Sequence, residues 1–170
     1  TFTRTKKEIR IIRHFDKHLA AIEADAGQLE QVLRNLLVNA AAAMRGGGTV
    51  TIRTSYATHE DMKGKLYNPK PGKYVLLQVS DTGVGMDEKT KERIFEPFFT
   101  TKEMGRGTGL GLASTYGIIK GHGGFIDVDS QPGKGAMFTI YLPASTKKVS
   151  KHHRGHERIV RGQETVLLID

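Results

Sequence analysis

Three sequence blocks lie close together in one short stretch of this chain, from Asp81 to Ser114, and two of them are built around glycine. The first block reads Asp-Thr-Gly-Val-Gly-Met over residues 81–86, and the last reads Gly-Arg-Gly-Thr-Gly-Leu-Gly-Leu over 105–112. An aromatic block, Ile-Phe-Glu-Pro-Phe-Phe, lies between them at 94–99. Because glycine lets a backbone bend sharply and approach a ligand closely, this order predicts a buried acid at a strand end, an aromatic anchor and a glycine loop opening a helix.

A strongly helical segment lies upstream. Apolar residues recur with helical period over Gln28–Met44, Asp25 is the predicted N-cap, and the glycines at 46–48 end the helix. Asn35 and Asn39 lie four residues apart, so both amides project from one helical face. Amide oxygens are neutral, hard ligands suited to Mg²⁺. The alternative, a pair of surface or capping asparagines, is disfavoured because both lie within the apolar stripe, where asparagine has poor helix propensity.

Alternating and β-branched segments predict strands on both sides of the glycine blocks. The pattern favours an α+β two-layer sandwich, in which the second and third strands form an antiparallel pair. Strands are predicted over residues 8–15, 49–56, 74–80, 124–128 and 136–142, a loop over 57–73, a helix over 108–120 and a turn over 131–135.

Asp81 follows an apolar strand and precedes two glycines. A carboxylate at this position can accept a hydrogen bond from an exocyclic amine, which distinguishes adenine from guanine. Gly83 and Gly85 lack a Cβ where a flat base must approach the backbone. Taken alone, the motif is equally typical of an ordinary Asp-Thr-Gly turn.

The last glycine block has a glycine at every second position ahead of a helix. Such a loop can present successive N–H groups to phosphate at the positive end of the helix. It is neither a Walker-A loop nor a dinucleotide fingerprint, because it lacks the Gly-Lys-Ser/Thr ending and a directly preceding strand. Thr108 can add a hydroxyl contact. Lys102 and Arg106 flank the loop, either as contacts to a terminal phosphate or as solvated charges, and Phe95 and Phe98 are predicted to pin it.

Composition excludes several other classes of protein. The chain has no cysteine, so it has no disulfide framework and no thiolate chemistry. Its net charge of +8 comes mainly from its ends: residues 1–19 hold six Lys/Arg against two acids, and 144–170 hold six against three. A nucleic-acid groove concentrates charge in the folded body, so no nucleic-acid partner is expected. No apolar run approaches the roughly 20 residues that span a bilayer, and no signal peptide opens the chain. This predicts a cytosolic fragment without direct membrane insertion, whose parent protein can be anchored by a segment outside it.

Four segments carry a resemblance to a known family: the helix with Asn35 and Asn39, the Asp-Thr-Gly block, the aromatic block and the last glycine block. In this order and spacing they resemble the N, G1, F and G2 boxes of the catalytic ATP-binding domain of sensor histidine kinases. That domain belongs to the wider superfamily of gyrase, heat-shock chaperone and mismatch-repair ATPases. The resemblance implies a Bergerat-type fold, with a mixed, mainly antiparallel sheet covered by helices on one face. It covers residues 20–143, preceded by an N-terminal segment over 1–19. The Phe-Phe-Thr-Thr-Lys sequence and the short lid that follows resemble nitrogen-regulation-type kinases.

Composition changes after this region. A basic linker is predicted over 144–163, and the apolar run over 164–170 resembles the first strand of a receiver domain, which implies a hybrid kinase.

The resemblance implies a role for each matching residue. Asn39 is the expected Mg²⁺ ligand, and Asn35 a second phosphate or metal contact. Asp81 would bind the adenine amino group, with Gly83 and Gly85 lining the base. Phosphates would be held by the backbone N–H groups of Gly107, Thr108, Gly109, Leu110 and Gly111.

The chain departs from its relatives at two positions. Many kinases carry a Lys or Arg where this chain has Ala42, so one cationic phosphate contact is absent there. Hydrolysing relatives carry a Glu at the position of Asn35, so no obvious base activates water. These features favour a module that binds ATP and Mg²⁺ and donates phosphate to a histidine on a separate dimerisation domain of the same protein, with a receiver domain or response regulator downstream.

Two other functions remain open from the sequence. One is a conformational ATPase like the gyrase and chaperone relatives, and the other is a regulatory module that binds ATP without transfer. None of the seven histidines lies in the His-acid-x-x-x-Pro context of a phospho-accepting histidine, so the acceptor is expected outside this fragment.

Overall fold

The protein folds around one mixed β-sheet with helices on one of its faces. The structure, a computed structural model, describes residues 8–64, 68–105 and 107–147. The elements in chain order are β1 (Ile9–His14), α1 (Ala26–Ala43), β2 (Gly48–Thr58), a 3₁₀ helix (His59–Met62), β3 (Lys73–Asp81), α2 (Glu88–Arg93), α3 (Gly111–Gly121), β4 (Phe125–Ser130) and β5 (Ala136–Pro143). None of the helices in these ranges combines the length and apolarity needed to cross a membrane.

The sheet has the strand order β1-β2-β3-β5-β4. β1 and β2 are parallel, because α1 connects them, and the other neighbours are antiparallel. Val79 on β3 lies opposite Phe138 on β5, and Leu77 lies opposite Ile140. These side chains belong to the main apolar core, together with the buried face of α1 and Ile119 of α3. The predicted α+β sandwich, with helices on one face of a mixed sheet, is confirmed.

Helix α1 forms where its apolar period predicts it. The Asp25 carboxylate caps the helix by accepting from the N–H of Gln28 at 2.9 Å. The stripe that it buries consists of Leu29, Val32, Leu36 and Ala40. The helix ends at Ala43, one residue before the predicted end at Met44 and shortly before the three glycines.

Two predicted boundaries are wrong. Residues 57–73, predicted as a loop, include the end of β2 and the 3₁₀ helix, whose Met62 is buried in a second cluster with Ala57, Tyr74 and Tyr141. Helix α3 begins at Gly111 rather than Thr108, because Gly109 has a left-handed φ of 67° that helical backbone does not adopt.

Helix α2 is not predicted from the sequence, since none of its six residues is buried and it therefore has no apolar stripe. The predicted receiver-like strand over 164–170, residues 148–163 of the predicted linker and residues 1–7 of the N-terminal segment lie outside the described residues.

Candidate nucleotide-binding site

One large cavity opens between α1, the loop after β3 and the glycine loop before α3. Its volume is about 1210 Å³, above the range of about 300–1,000 Å³ typical of small-ligand pockets. Most of the predicted site residues meet here: Asn35, Asn39, Asp81, Gly83, Gly85, Lys102, Gly107, Thr108, Gly109 and Gly111 all line it. The sequence blocks thus converge on one space, although they are separated along the chain.

The α1 wall of the cavity bears the two asparagines. The Asn35 Nδ2 donates to the carbonyl of Gly111 at 3.0 Å and to Thr115 Oγ1 at 3.3 Å, which ties α1 to the first turn of α3. Asn39 is half-buried, and its amide makes no hydrogen bond to any other residue in the described ranges. A half-buried polar group that faces a cavity without a protein partner is suited to a ligand or a bound ion.

Asp81 lies at the end of β3 and is half-buried. Its carboxylate accepts from the backbone N–H of Gly83 at 2.8 Å. Burial raises the pKa of Asp81 above the usual value for aspartate, and the hydrogen bonds from the backbone of Gly83 and Ala136 offset this only in part. A desolvated carboxylate at a cavity wall is a strong acceptor for a ligand N–H group.

The two glycines after Asp81 make room for the protein's own backbone. A Cβ on Gly83 would lie 2.7 Å from the carbonyl oxygen of Ala43 in α1. Gly85 has a φ of 69°, and a Cβ there would overlap the carbonyl of Gln131 in the β4–β5 turn. Both residues line the cavity as predicted, but close packing against α1 and this turn explains why glycine is needed.

Ser130 is a residue that sequence reasoning missed. It is buried at the end of β4, where its Oγ accepts from the N–H of Met86 at 2.9 Å and donates to the carbonyl of Gly135 at 2.7 Å. The N–H of Gly133 also donates to the carbonyl of Val84 at 2.7 Å. The β4–β5 turn thereby holds the loop that follows Asp81. The bonded residues lie more than forty positions apart in the chain, so no local sequence pattern indicates these contacts.

The glycine loop is anchored by backbone contacts to the aromatic block. The N–H of Phe98 donates to the carbonyl of Gly109 at 2.9 Å. Leu110 does not line the cavity: its side chain is exposed, and its N–H donates to Thr108 Oγ1 at 3.3 Å. The predicted phosphate contact through Leu110 therefore stays a prediction.

The aromatic block holds the loop differently from what the sequence predicts. Phe95 packs against Tyr116 of α3 with ring centroids 5.3 Å apart. The ring of Phe98, by contrast, is 75% exposed. The expectation that this ring pins the loop is wrong, because the backbone of Phe98 makes the contact and its φ of 66° turns the side chain outward.

Within residues 8–64, 68–105 and 107–147, three cationic residues line the cavity, namely Arg34, Arg45 and Lys102. Lys102 is half-buried and lies against the glycine loop, since a Cβ on Gly107 would be 3.0 Å from its Cδ. Arg34 forms an exposed ion pair with Glu30 at 3.1 Å, a contact of little energetic weight. Arg106, also predicted near the phosphate, lies outside the described residues.

The donors at this site fit ATP and Mg²⁺. Among the described residues there is no cluster of three or more His, Cys, Asp or Glu side chains able to hold a metal. Mg²⁺ commonly takes one or two protein oxygens and completes its shell with water and phosphate oxygens. The amide oxygens of Asn35 and Asn39, opposite a loop rich in backbone N–H groups, match that requirement.

The sequence and fold were compared with known proteins. Residues 24–146 match the family described as histidine kinase-, DNA gyrase B- and HSP90-like ATPases. The chain is 44% identical to sensor kinase CckA of Brucella abortus (strain 2308) over 96% of its own length and 18% of that protein's. It spans 18% to 24% of the length of the first curated relatives that it matches.

Solved structures show the same fold. Full-length ShkA in complex with AMPPNP is similar with a TM-score of 0.65 and 31% identity, over 83% of this chain and 27% of that one. The nucleotide-free catalytic domain of the histidine kinase ThkA is similar with a TM-score of 0.61 and 33% identity, over 80% of each chain. CckA is a sensor kinase and ThkA a histidine kinase, and the chain itself belongs to the family of histidine kinase-, DNA gyrase B- and HSP90-like ATPases.

Proposed function

We propose that this chain binds ATP with Mg²⁺ and donates the γ-phosphate to a histidine on a separate dimerisation domain of the same protein. The observation that supports this most directly is that three features line one cavity: the two asparagines of α1, Asp81 with the glycines that follow it, and the glycine loop before α3. The family and the sensor-kinase relatives favour the same reaction.

The base would lie at the Asp81 end of the cavity. The Asp81 carboxylate accepts a hydrogen bond from the amino group of adenine. Guanine has a carbonyl oxygen at the same ring position, and this oxygen cannot donate to a carboxylate. Val84, between the two glycines, donates to the carbonyl of Ala43 in α1 at 3.1 Å and accepts from the N–H of Gly133 in the β4–β5 turn at 2.7 Å, and these hydrogen bonds hold this wall in place. Such pre-organisation lowers the free-energy cost of ordering the loop on binding.

The phosphates would lie between the glycine loop and the two asparagines. Backbone N–H groups at the N-terminus of α3 favour negative charge, and Lys102 adds a cation beside Gly107. Bound Mg²⁺ supplies neutralisation of the charge on the phosphate oxygens. Asn39 and Asn35 are the residues that would hold it.

The site favours phosphate donation over hydrolysis. Asn35 is an amide that cannot accept a proton as a base, and its Nδ2 is already bonded to Gly111 and Thr115. In the proposed transfer, an imidazole nitrogen of the acceptor histidine forms a bond to the γ-phosphorus as the bond to the departing ADP breaks. The nucleophile must then be supplied by a second domain.

Three exposed apolar side chains lie in or next to the glycine loop. Phe98 belongs to the aromatic block, Met104 to the lid and Leu110 to the glycine loop itself. Exposed apolar side chains that lie together are typical of a protein interface, and docking of the histidine-bearing domain would use them. We place this reaction in the cytoplasm, with a receiver domain or response regulator as the next partner in the relay.

Transfer is tested by mixing the chain with its dimerisation domain and labelled ATP. We expect phosphohistidine on the added domain and none on the chain itself. An Asn39→Ala variant serves as the control. Phosphate release by the chain alone, above that control, would support the ATPase function instead, and confirmed binding without transfer would support the regulatory module.

Nucleotide choice is tested by calorimetric titration with ATP and then GTP, each with Mg²⁺. We expect selective binding of ATP and a loss of about 10-fold or more in affinity for Asp81→Asn, since a hydrogen bond to a charged group contributes about 1.5–3 kcal/mol. Equal affinity for the two nucleotides would overturn the adenine assignment.

A further inference from the structure

A buried hydroxyl lies behind the phosphate end of the cavity, at Thr115 of α3. The residue has 0% exposure and does not line the cavity. Its Oγ1 donates to the carbonyl of Gly111 at 2.9 Å and accepts from Asn35 Nδ2 at 3.3 Å. Asn35 Nδ2 also donates to the same Gly111 carbonyl at 3.0 Å. Three groups from two helices thus form one closed hydrogen-bonded cluster.

The cluster determines which end of the Asn35 amide faces α3. A backbone carbonyl only accepts hydrogen bonds, so the atom facing Gly111 must be the nitrogen. The Thr115 hydroxyl donates its single hydrogen to the same carbonyl and therefore acts as an acceptor toward Asn35. The amide oxygen is left as the opposite end, and no hydrogen bond within the described ranges engages it.

A neighbouring contact keeps the two helices in register. Gln31 lies one turn before Asn35, and its Nε2 donates to Ser114 Oγ at 3.1 Å. Two consecutive turns of α1 are therefore bonded to the start of α3, which is the helix that the glycine loop opens. Asn35 has little freedom to move away from Thr115.

We propose that Thr115 is a positioning residue that holds the Asn35 amide with its oxygen toward the Mg²⁺–phosphate end of the nucleotide. This inference rests on the proposed function. Without the hydroxyl, one of the two acceptors of Asn35 Nδ2 disappears and rotation of the amide becomes easier. The rotated amide presents its nitrogen, which carries positive partial charge, toward the cation.

A buried threonine that bonds to the carbonyl four residues earlier can also be purely structural. The two roles differ in their dependence on Mg²⁺. A structural defect weakens ATP binding by the same factor with and without the ion. A positioning defect weakens binding when Mg²⁺ is present and leaves binding in a chelator unchanged.

The experiment compares Thr115→Val, which keeps the branched shape, with Thr115→Ser, which keeps the hydroxyl. Affinity for ATP is measured by calorimetry in Mg²⁺ and in EDTA. In Mg²⁺, we expect Thr115→Val to lose about 2- to 10-fold in affinity for ATP, which is the fold-change of one ordinary hydrogen bond. The variant should also need more Mg²⁺ for half-maximal binding. In EDTA, its affinity for ATP should match that of the parent chain. Thr115→Ser should bind like the parent chain in both conditions.

Thr54→Val is a matched control. Thr54 is also buried, and its Oγ1 accepts from the N–H of Asp16 at 3.0 Å, but it does not line the cavity. This variant should lose stability in urea without a change in the Mg²⁺ requirement. If Thr115→Val does not fold, Thr115→Ala against Thr115→Ser makes the same comparison of hydroxyl removed and hydroxyl kept.

A second readout needs no nucleotide. In the free chain, Thr115→Val should speed hydrogen exchange of the Asn35 side-chain amide, as followed by NMR, and Thr115→Ser should not. The inference is overturned if Thr115→Val binds ATP in Mg²⁺ as the parent chain does, or loses the same factor in EDTA, or leaves the Asn35 exchange unchanged. An Asn35→Ala variant with an unaltered Mg²⁺ requirement would instead overturn the proposed role of Asn35 itself.

Discussion

Asp81 illustrates how a single side chain can be poorly solvated and still suit its ligand. Its carboxylate is half-buried at the end of β3, and burial raises its pKa despite hydrogen bonds from the Gly83 and Ala136 backbone. The folded chain therefore favours the protonated acid more than the unfolded chain does. Asp81 contributes most to stability below its unfolded pKa, and that contribution is lost as the pH rises through the folded pKa.

This linkage predicts opposite effects of Asp81→Asn on stability and on binding. At pH 7 the variant should unfold at an equal or higher urea concentration, because it removes a desolvated charge while its amide oxygen can still accept from Gly83. The difference should shrink as the pH falls through the raised pKa of Asp81, where its carboxyl group becomes protonated. ATP affinity of the parent chain should fall over the same acid range, and the variant should show no such fall.

Ser145→Ala is a suitable control for these measurements, because Ser145 belongs to the segment after β5 and does not line the cavity. A variant Asp81→Asn that is clearly less stable than the parent at pH 7, or a parent affinity that rises on acidification, would contradict the argument.

At the scale of elements, the β4–β5 turn is the support for the base-binding loop. Ser130 joins the N–H of Met86 to the carbonyl of Gly135, and it is 8% exposed. Ser130→Ala would leave the half-buried N–H of Met86 and the buried carbonyl of Gly135 without this partner. An unsatisfied buried polar group costs about 1–3 kcal/mol, so we expect a loss of that order in the free energy of unfolding.

The same variant should also weaken ATP binding, because the loop from Asp81 to Met86 loses its contact with the turn. Urea unfolding and calorimetry measure the two effects, and ATP in excess should recover part of the lost stability. Unchanged stability, or full stability loss without any loss of affinity, would show that the turn does not position the loop.

Elements with a local signal were predictable from the sequence. Helix α1 shows its apolar period and its Asp25 cap, and both appear in the structure. Helix α2 has an Asp87 cap of the same kind, which accepts from the N–H of Thr90 at 2.8 Å, but it has no apolar stripe because none of its residues is buried. The start of α3 depends on a contact between Gly109 and Phe98, two residues in different blocks, which the helical pattern alone does not reveal.

The same limit applies to the site as a whole. Most of the residues that the motifs single out line the cavity, although Leu110 does not, and their roles toward a nucleotide stay predictions. Ser130 bonds to Met86, which lies 44 residues away along the chain, and Thr115 bonds to Asn35, which lies 80 residues away. Such pairs are specified by tertiary packing and leave no periodicity or turn signature in the chain.

For the whole molecule, we expect nucleotide binding and phosphate transfer to be separable, because the proposed acceptor histidine belongs to another domain. Phe98 offers a way to separate them. Its ring is 75% exposed, it does not line the cavity, and its left-handed backbone is anchored by the hydrogen bond from its N–H to Gly109. Asparagine tolerates that backbone conformation better than most residues.

Phe98→Asn therefore removes an exposed ring while retaining the backbone contact to Gly109. We expect unchanged ATP affinity and an initial rate of transfer to the dimerisation domain lower by about 10-fold, in keeping with an interface aromatic side chain that contributes more than 1 kcal/mol. Raising the concentration of the added domain should restore the rate, since docking rather than chemistry is impaired. A variant that transfers phosphate at the parent rate at low acceptor concentration would place the docking surface elsewhere on the chain.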